Sequence, residues 1–209
     1  MTLGAETSVP DWLDVSRETH DRLLEFCALV RKWNPAINLV SKTDVAQLWH
    51  RHLLDSAQLF ELVPRGAALW ADLGSGGGFP GIVVAILAQQ HDPGLTVHLV
   101  EADRRKATFL AQAIRLLGLT SVLHVERIDR LAPLAADVVS ARALARLPQL
   151  CGLADRHLAP TGLALFPKGE GVDFELQACI GIWQMAVERV PSRLRNEAVV
   201  LKITGLRHV

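Results

Sequence analysis

A doubly wound, mostly parallel α/β sheet preceded by a helical lobe is the fold class the sequence predicts. Three observations predict it. Leu23, Phe26, Ala28, Leu29, Val30 and Trp33 recur at helix spacing, and the pattern stays helical to about Val63. From Ala67 onward short apolar runs alternate with helical stretches across short turns. The first of those runs ends in a cluster of glycines. The chain therefore divides into a helical lobe over residues 1–63 and a sheet domain over 64–209, joined at Pro64-Arg65-Gly66.

Each element has a local reason. Asn34-Pro35 is expected to stop the first helix, because proline disfavours the α conformation in the residue before it. Asn38 to Ser41 reads as a connector, and Thr43-Asp44 as the cap of a second helix running through Trp49, Leu53, Leu54, Ala57 and Leu59. Ala67 to Leu73 is a buried strand, and Pro80 suits the first position of a helix over 80–90. Thr96 to Val100 is a second strand. Asp103 caps a helix from Arg104 to Leu117, which Gly118 ends. Val122–Val125 and Ala136–Ser140 are strands, 148–158 a helix, and Gly162–Phe166 a strand. Asp173 to Ala186 reads as helical, and Val187–Val190 with Ala198–Ile203 as a last strand pair.

Composition sets the outer limits. The chain has 209 residues, half of them hydrophobic and 21% charged, which excludes wholesale disorder. The longest unbroken apolar run is the seven residues Ile82 to Ala88, whereas a membrane helix needs about 20. No membrane association is expected. The opening MTLGAETSVPDW lacks a basic segment and an apolar segment, so no secretory signal is expected either. Cys27, Cys151 and Cys179 stand far apart with no zinc spacing, and read as reduced core thiols of a cytoplasmic protein with no metal site. Net charge is zero but unevenly spread. The first 63 residues carry 6 Lys+Arg against 9 Asp+Glu, a balance of −3, and the remainder carries +3. Arg outnumbers Lys 17 to 5, which suits bidentate recognition of phosphate or guanine and also suits a GC-rich genome.

The strongest local signal is Asp72-Leu73-Gly74-Ser75-Gly76-Gly77-Gly78-Phe79-Pro80-Gly81, placed after the first strand and opening the next helix. Open α/β sheets bind ligands at that end of a strand. Four glycines in five positions let the backbone approach a ligand closely. A dinucleotide loop would need its third glycine where Phe79 stands. A phosphate-binding loop from Gly76 to Gly81 would need Lys-Ser/Thr where Ile82-Val83 stand. The pattern present, Asp-x-Gly-x-Gly-x-Gly, is that of an S-adenosylmethionine loop. Asp72 would set a negative charge near the cationic end of that ligand. Glu101, ending the second strand, can accept both ribose hydroxyls. Ile128-Asp129, after the third strand, can meet an adenine edge with a backbone N–H and a carboxylate.

These motifs and others around them resemble the RsmG (GidB) family of bacterial 16S rRNA guanine-N7 methyltransferases. The resemblance runs from about Leu23 to Lys202. It is carried by Trp33-Asn34, Asn38-Leu39, Arg51-His52-Leu53-Leu54-Asp55-Ser56, the glycine loop with its Phe-Pro-Gly ending, Arg105-Lys106 with Phe109-Leu110, Ser140-Ala141-Arg142-Ala143 and Lys168-Gly169. It implies a Rossmann-like fold that uses S-adenosylmethionine. It also implies transfer to N7 of one guanosine in the 530 loop of 16S rRNA. A neutral chain, expected to bind naked RNA weakly, suits a substrate presented in a structured particle such as the 30S subunit, and a monomer is expected. By position, Gly74, Phe79, Ile128, Asp129 and Arg142 would contact the cofactor, with Asp72, Gly76, Gly78 and Glu101 completing its loop and ribose contacts. This chain departs from the family in carrying Asp129 for the usual Glu, and an extra residue inside Ser140-Ala141-Arg142. It also has Arg195-Asn196-Glu197-Ala198 where the family often has an Arg-His pair.

Guanine N7 carries a lone pair and no proton, so its alkylation needs no general base. Alignment and exclusion of water supply the rate. Arg142 and Lys168, at the carboxyl ends of strands, are expected to orient a methionine carboxylate, guanine O6 or phosphate. Arg104, Arg105 and Lys106 open a helix, where cations are unfavourable unless an external anion compensates them; RNA phosphate would. Arg51 and His52, with Asp55, either brace the lobe against the glycine loop or touch RNA. His52, His98, His124 and His157 show no partner in the sequence. Three alternatives compete: a nicotinamide oxidoreductase, an RNA-binding module without catalysis, and a methyltransferase for a small molecule or protein. Phe79 opposes the first. The absence of Tyr opposes the second.

Overall fold

The computed structural model describes residues 7–63 and 66–209. The junction at Pro64-Arg65, and with it the 63/64 boundary, lies outside the described residues, as do the first six positions of the N-terminal segment.

Helix α1 spans Arg17–Ile37, capped by Ser16, whose Oγ accepts the Thr19 N–H at 3.1 Å. Its buried stripe of Leu23, Phe26, Cys27 and Val30 follows the expected spacing. The expected stop at Asn34-Pro35 does not occur. Pro35 sits inside the last turn, and Arg31, whose carbonyl loses its partner there, is exposed to water. Asn34 makes the true end: its carbonyl accepts the N–H of left-handed Asn38, and its Oδ1 accepts the Val40 N–H at 2.8 Å. The second expected helix is also different. Ser41, not Thr43-Asp44, caps the short α2 (Lys42–Val45), and a π-helical turn (Trp49–Leu54) leads into α3 (Asp55–Phe60).

Seven strands form one sheet: β1 (Leu69–Leu73), β2 (Thr96–Val100), β3 (Val122–His124), β4 (Ala136–Ser140), β5 (Leu158–Lys168), β6 (Trp183–Pro191) and β7 (Val199–His208). Their spatial order is β3-β2-β1-β4-β5-β7-β6. The first five pair in parallel, and β7 runs antiparallel to both β5 and β6. Helices α4 (Gly81–His91) and α5 (Arg104–Leu116) connect the parallel strands on one side, and α6 (Leu147–His157) returns on the other. Chain order reverses between β1 and β4, which makes their carboxyl ends the binding crevice of such a sheet.

The helix expected over Asp173–Ala186 is cut short. Only α7 (Val172–Gln177) is helical, and β6 already begins at Trp183. Gly181 takes a positive φ of 78°, and burial then alternates along the strand. Trp183, Met185 and Val187 face the core, a period of two that no helix can supply.

Two cores flank the sheet. One joins Leu23, Phe26, Trp49 and Leu53 of the first 63 residues to α4, α5 and Trp70, Val97 and Leu99. The other holds Ala71, Val139, Leu150, Phe166 and Leu201. Helix α4 is apolar all round because helices cover one side and strands the other. No described helix is long and apolar enough to cross a membrane.

Candidate active site

The crevice is organised from beneath by a buried chain of hydrogen bonds. Trp70 Nε1 donates to Ser140 Oγ at 2.8 Å, and Ser140 Oγ donates to Asp72 Oδ1 at 2.8 Å. The other carboxylate oxygen accepts the Gly81 N–H at 3.1 Å. These bonds tie β1, β4 and the start of α4 at the point where chain order reverses. Burial raises the Asp72 pKa to about 6, although Ser140, Ser75 and the Gly81 amide pull it down. Asp72 thus lies under the loop and off the walls of the crevice.

Above it, the glycine loop turns on left-handed Gly74, Gly76 and Gly78. Gly76 donates its N–H to Glu101 Oε2 at 2.8 Å, and Glu101 Oε1 accepts the Asp103 N–H at 2.7 Å. Gly74, Gly76, Glu101, Lys106, Ile128, Asp129 and Arg142 line one cavity of about 390 Å³. This gathers most of the expected cofactor residues. Gly78 and Phe79 face away, toward the helical lobe. A Cβ at Gly78 would stand 2.9 Å from Phe26, and the Phe79 ring packs on Phe26 and His52 at 5.0 and 5.2 Å. Their contribution to the crevice is through loop shape.

The third-strand turn is held from behind. His157 Nε2 donates to the Ile128 carbonyl at 2.9 Å, and Arg156 donates twice to the Leu131 carbonyl at 2.9 and 3.2 Å. Asp129 pairs with Arg127 at 2.7 Å and stays exposed. Three of the histidines without visible partners in the sequence are thus partnered: His157 here, and His98 with His124 at 3.1 Å.

A second cavity, of about 550 Å³, adjoins the first and shares the wall Arg142-Ala143-Leu144 with it. Arg146, Lys168, Glu175 and Arg195 also line it. Lys168 Nζ donates to Glu175 Oε2 at 2.8 Å. Arg142 donates to the Arg51 carbonyl at 3.1 Å and lies 3.7 Å from Asp55 Oδ2. The same oxygen lies 3.7 Å from Arg195. Asp55 is 3% exposed and also accepts the Gln58 amide at 2.9 Å. Burial lowers the Arg142 pKa, with Asp55 pulling it back up. Neither Arg142 Nη1 nor Asp55 Oδ2 has a hydrogen-bond partner, and both atoms are buried.

Comparison with known proteins then decides the family. Residues 19–197 match the model of GidB, rRNA small subunit methyltransferase G. The chain is 52% identical over 204 residues to the ribosomal RNA small subunit methyltransferase G of Cereibacter sphaeroides, covering 98% of this chain and 99% of that one. The protein of that name from Ruegeria pomeroyi is 50% identical, with 96% and 99% covered. The chain belongs to the rRNA small subunit methyltransferase G family. Among solved structures, a SAM-dependent methyltransferase from Aquifex aeolicus superposes with a TM-score of 0.58 at 11% identity, covering 85% of this chain and 97% of that one. That likeness establishes the Rossmann-like methyltransferase fold.

For this member of the methyltransferase G family, the basic residues expected at RNA lie in different settings. Arg104 and Arg105 are exposed at the start of α5, where Asp103 caps the helix. Lys106 instead lines the first cavity. Arg51 is half-exposed and paired with Asp44 at 2.7 Å. His52 is largely buried; burial first, and the Arg142 charge second, lower its pKa to about 4. A neutral ring packed on Phe79 ties the lobe to the glycine loop. Sequence reasoning missed Asp55 and Arg195 as site residues, because a lobe helix and a strand-connecting loop meet there only in the fold. The three cysteines are free and buried, and burial pushes the Cys27 and Cys151 thiols up to about 12.

Proposed function

We propose that this protein transfers the methyl group of S-adenosylmethionine to N7 of guanosine 527 in the 530 loop of 16S rRNA. The substrate is the RNA within the 30S subunit, and the enzyme acts in the cytoplasm as a monomer. The lobe of residues 1–63 and the methyltransferase domain of residues 64–209 build the site together. One observation carries the reading: two cavities at the carboxyl ends of β1, β4 and β5 share the wall Arg142-Ala143-Leu144. One has a glycine loop and a carboxylate for the cofactor; the other is ringed with cations for a nucleotide.

The cofactor-facing residues fit the group. Glu101 lies against the loop and, in this reading, takes the ribose hydroxyls. Ile128 and Asp129 line the same cavity and take the adenine, and the left-handed glycines keep side chains out of the way. Bound there, S-adenosylmethionine supplies an electrophilic methyl group. The protein's own residues position and desolvate. Asp72, pinned to Ser140 and Gly81, fixes the loop. Arg142 orients the acceptor across the shared wall, and Lys168, held by Glu175, sets the far side. No base is required, because N7 has a lone pair and nothing to lose. Arg51, Arg104 and Arg105 supply outlying phosphate contacts. Lys106 serves the cofactor cavity.

The test is transfer of a labelled methyl group into 30S subunits from a strain lacking this enzyme, followed by borohydride reduction and aniline cleavage. A single cut in the 530 loop is expected. Label at another atom, or in naked 16S rRNA alone, overturns the acceptor or the particle.

A further inference from the structure

We propose that Arg195, with Arg142, forms a seat for an RNA backbone phosphate adjoining the target guanosine, built around the shared carboxylate of Asp55. The inference rests on the acceptor reading above and adds its phosphate ligand.

Arg195 belongs to the loop between β6 and β7, far along the chain from the glycine loop. That loop is fastened to the helical lobe. The Arg193 N–H donates to Gln58 Oε1 at 3.0 Å, Gln58 Nε2 lies 3.4 Å from Ser192 Oγ, and the Arg193 guanidinium sits 5.2 Å over the Trp12 ring. Arg195 is thereby carried to the wall of the 550 Å³ cavity.

The charges there do not close. One buried carboxylate oxygen stands 3.7 Å from each of two guanidiniums, too far for a hydrogen bond to either. Arg142 keeps a buried N–H donor with no acceptor. Counting the cavity wall and Asp55, four cations (Arg142, Arg146, Lys168 and Arg195) face two carboxylates (Asp55 and Glu175), an excess of two positive charges. Desolvated donors and unpaired charge are expensive unless an anion arrives. A phosphodiester fits: it is compact, singly charged and accepts from several donors at once. The guanine ring fits less well, because methylation at N7 makes it cationic. A phosphate lies outside the ring and lets the arginines bind without opposing the reaction. Arg195 retains the exposure needed to reach it, with 47% of its side chain accessible.

The experiment measures methyl transfer to 30S subunits as a function of salt for the wild type, Arg195→Gln, Arg195→Lys and Arg115→Gln. Arg115 is an exposed cation in the last turn of α5 and serves as a charge-matched control. Arg195→Gln is expected to raise KM for the subunit about tenfold, with kcat and cofactor affinity nearly unchanged. It should also flatten the slope of log(kcat/KM) against log[salt] by about one unit, the signature of one lost phosphate contact. Arg195→Lys should restore most of the slope. Arg115→Gln should match the wild type. Equal slopes for Arg195→Gln and wild type overturn the phosphate seat and leave the acceptor reading standing. Parallel loss of stability and cofactor affinity in Arg195→Gln and Arg195→Lys also overturns it, because the arginine is then only a prop for Asp55. A wild type that leaves 30S subunits unmethylated overturns the acceptor reading, and the seat with it.

Discussion

The two walls of the crevice are built on different plans. The cofactor wall is mostly backbone. Residues Gly74 to Gly81 form one continuous loop, and two carboxylates hold it, Glu101 through the Gly76 amide at 2.8 Å and Asp72 through the Gly81 amide at 3.1 Å. The wall proposed for the acceptor is mostly side chains from distant parts of the chain. Asp55 comes from the helical lobe, Arg142 follows β4, Lys168 ends β5, and Arg195 lies before β7. A wall of amides needs small residues at a few positions. A wall of charges needs every partner present. The first should fail by steric intrusion and the second by electrostatic orphaning, and each failure should leave the other wall recognisable.

The largest effect is expected from Asp55→Ala. It leaves Arg142 and Arg195 facing each other with no carboxylate between them. Removing one partner of a buried ion pair costs about 3–5 kcal/mol, and Arg195's exposure places this pair near the lower figure. Denaturant unfolding should register that loss. Methyl transfer should fall at least a hundredfold while cofactor affinity changes little. A cofactor affinity that collapses in step with transfer would show that the walls are one unit.

Acid should strike between the walls, at His52, which packs on Phe79 of the glycine loop. Its pKa in the folded protein is lowered to about 4. The neutral form is therefore favoured by folding. This contribution is fully present above the ordinary histidine pKa of about 6.5 and is lost as pH falls toward 4. The depression corresponds to about 3 kcal/mol by the lower end of that window. His52→Phe keeps a ring on Phe79 and removes the titration. Between pH 6.5 and 4 its stability should fall less steeply than that of the wild type. Parallel curves would mean that His52 is protonated without penalty.

The cofactor wall is tested sterically at Gly81. A Cβ there would collide with Leu99 and stand 2.7 Å from Asp72 Oδ2. Gly81→Ala should cost about 2 kcal/mol as overpacking and lower Tm by roughly 4–8 °C. Because the displaced carboxylate also holds the loop, cofactor affinity should drop about tenfold. The 30S salt dependence should keep its wild-type slope. A changed slope would mean that the glycine loop also positions RNA.

The same contrast explains what was legible in the sequence. The parallel core, the glycine loop, Glu101 and Ile128-Asp129 are adjacent to strand ends, so short-range pattern and the rule for open sheets reach them. Family resemblance, rather than periodicity, supplied the acceptor. The misread elements are those whose outcome depends on remote packing. Pro35 is tolerated because the Arg31 carbonyl it leaves unpaired belongs to an exposed residue, and residues 183–186 are strand because Trp183 docks with its Nε1 on the Pro148 carbonyl at 3.1 Å. Asp55 looked like part of a bracing motif. Arg195 lay in a stretch that departs from the family, and nothing local joins it to a residue 140 positions earlier.

The smallest expected effect tests a long-range support of the cofactor wall. His157 is fully buried at the end of α6, and its Nε2–H holds the Ile128 carbonyl at 2.9 Å. Arg156 holds the Leu131 carbonyl beside it. Together they fix the turn that presents Ile128 and Asp129 to the cavity. A lost neutral hydrogen bond is worth about 1 kcal/mol, or roughly fivefold in an equilibrium constant. His157→Ala also opens a void, so His157→Gln, which keeps a donor, is the discriminating partner. Titration with S-adenosylmethionine should show about fivefold weaker binding for the alanine variant and partial recovery for glutamine. KM for the 30S subunit should stay unchanged in both, because the turn faces the first cavity only. If glutamine binds no better than alanine, the histidine acts by filling space. The turn would then be held by packing and by the two Arg156 donors.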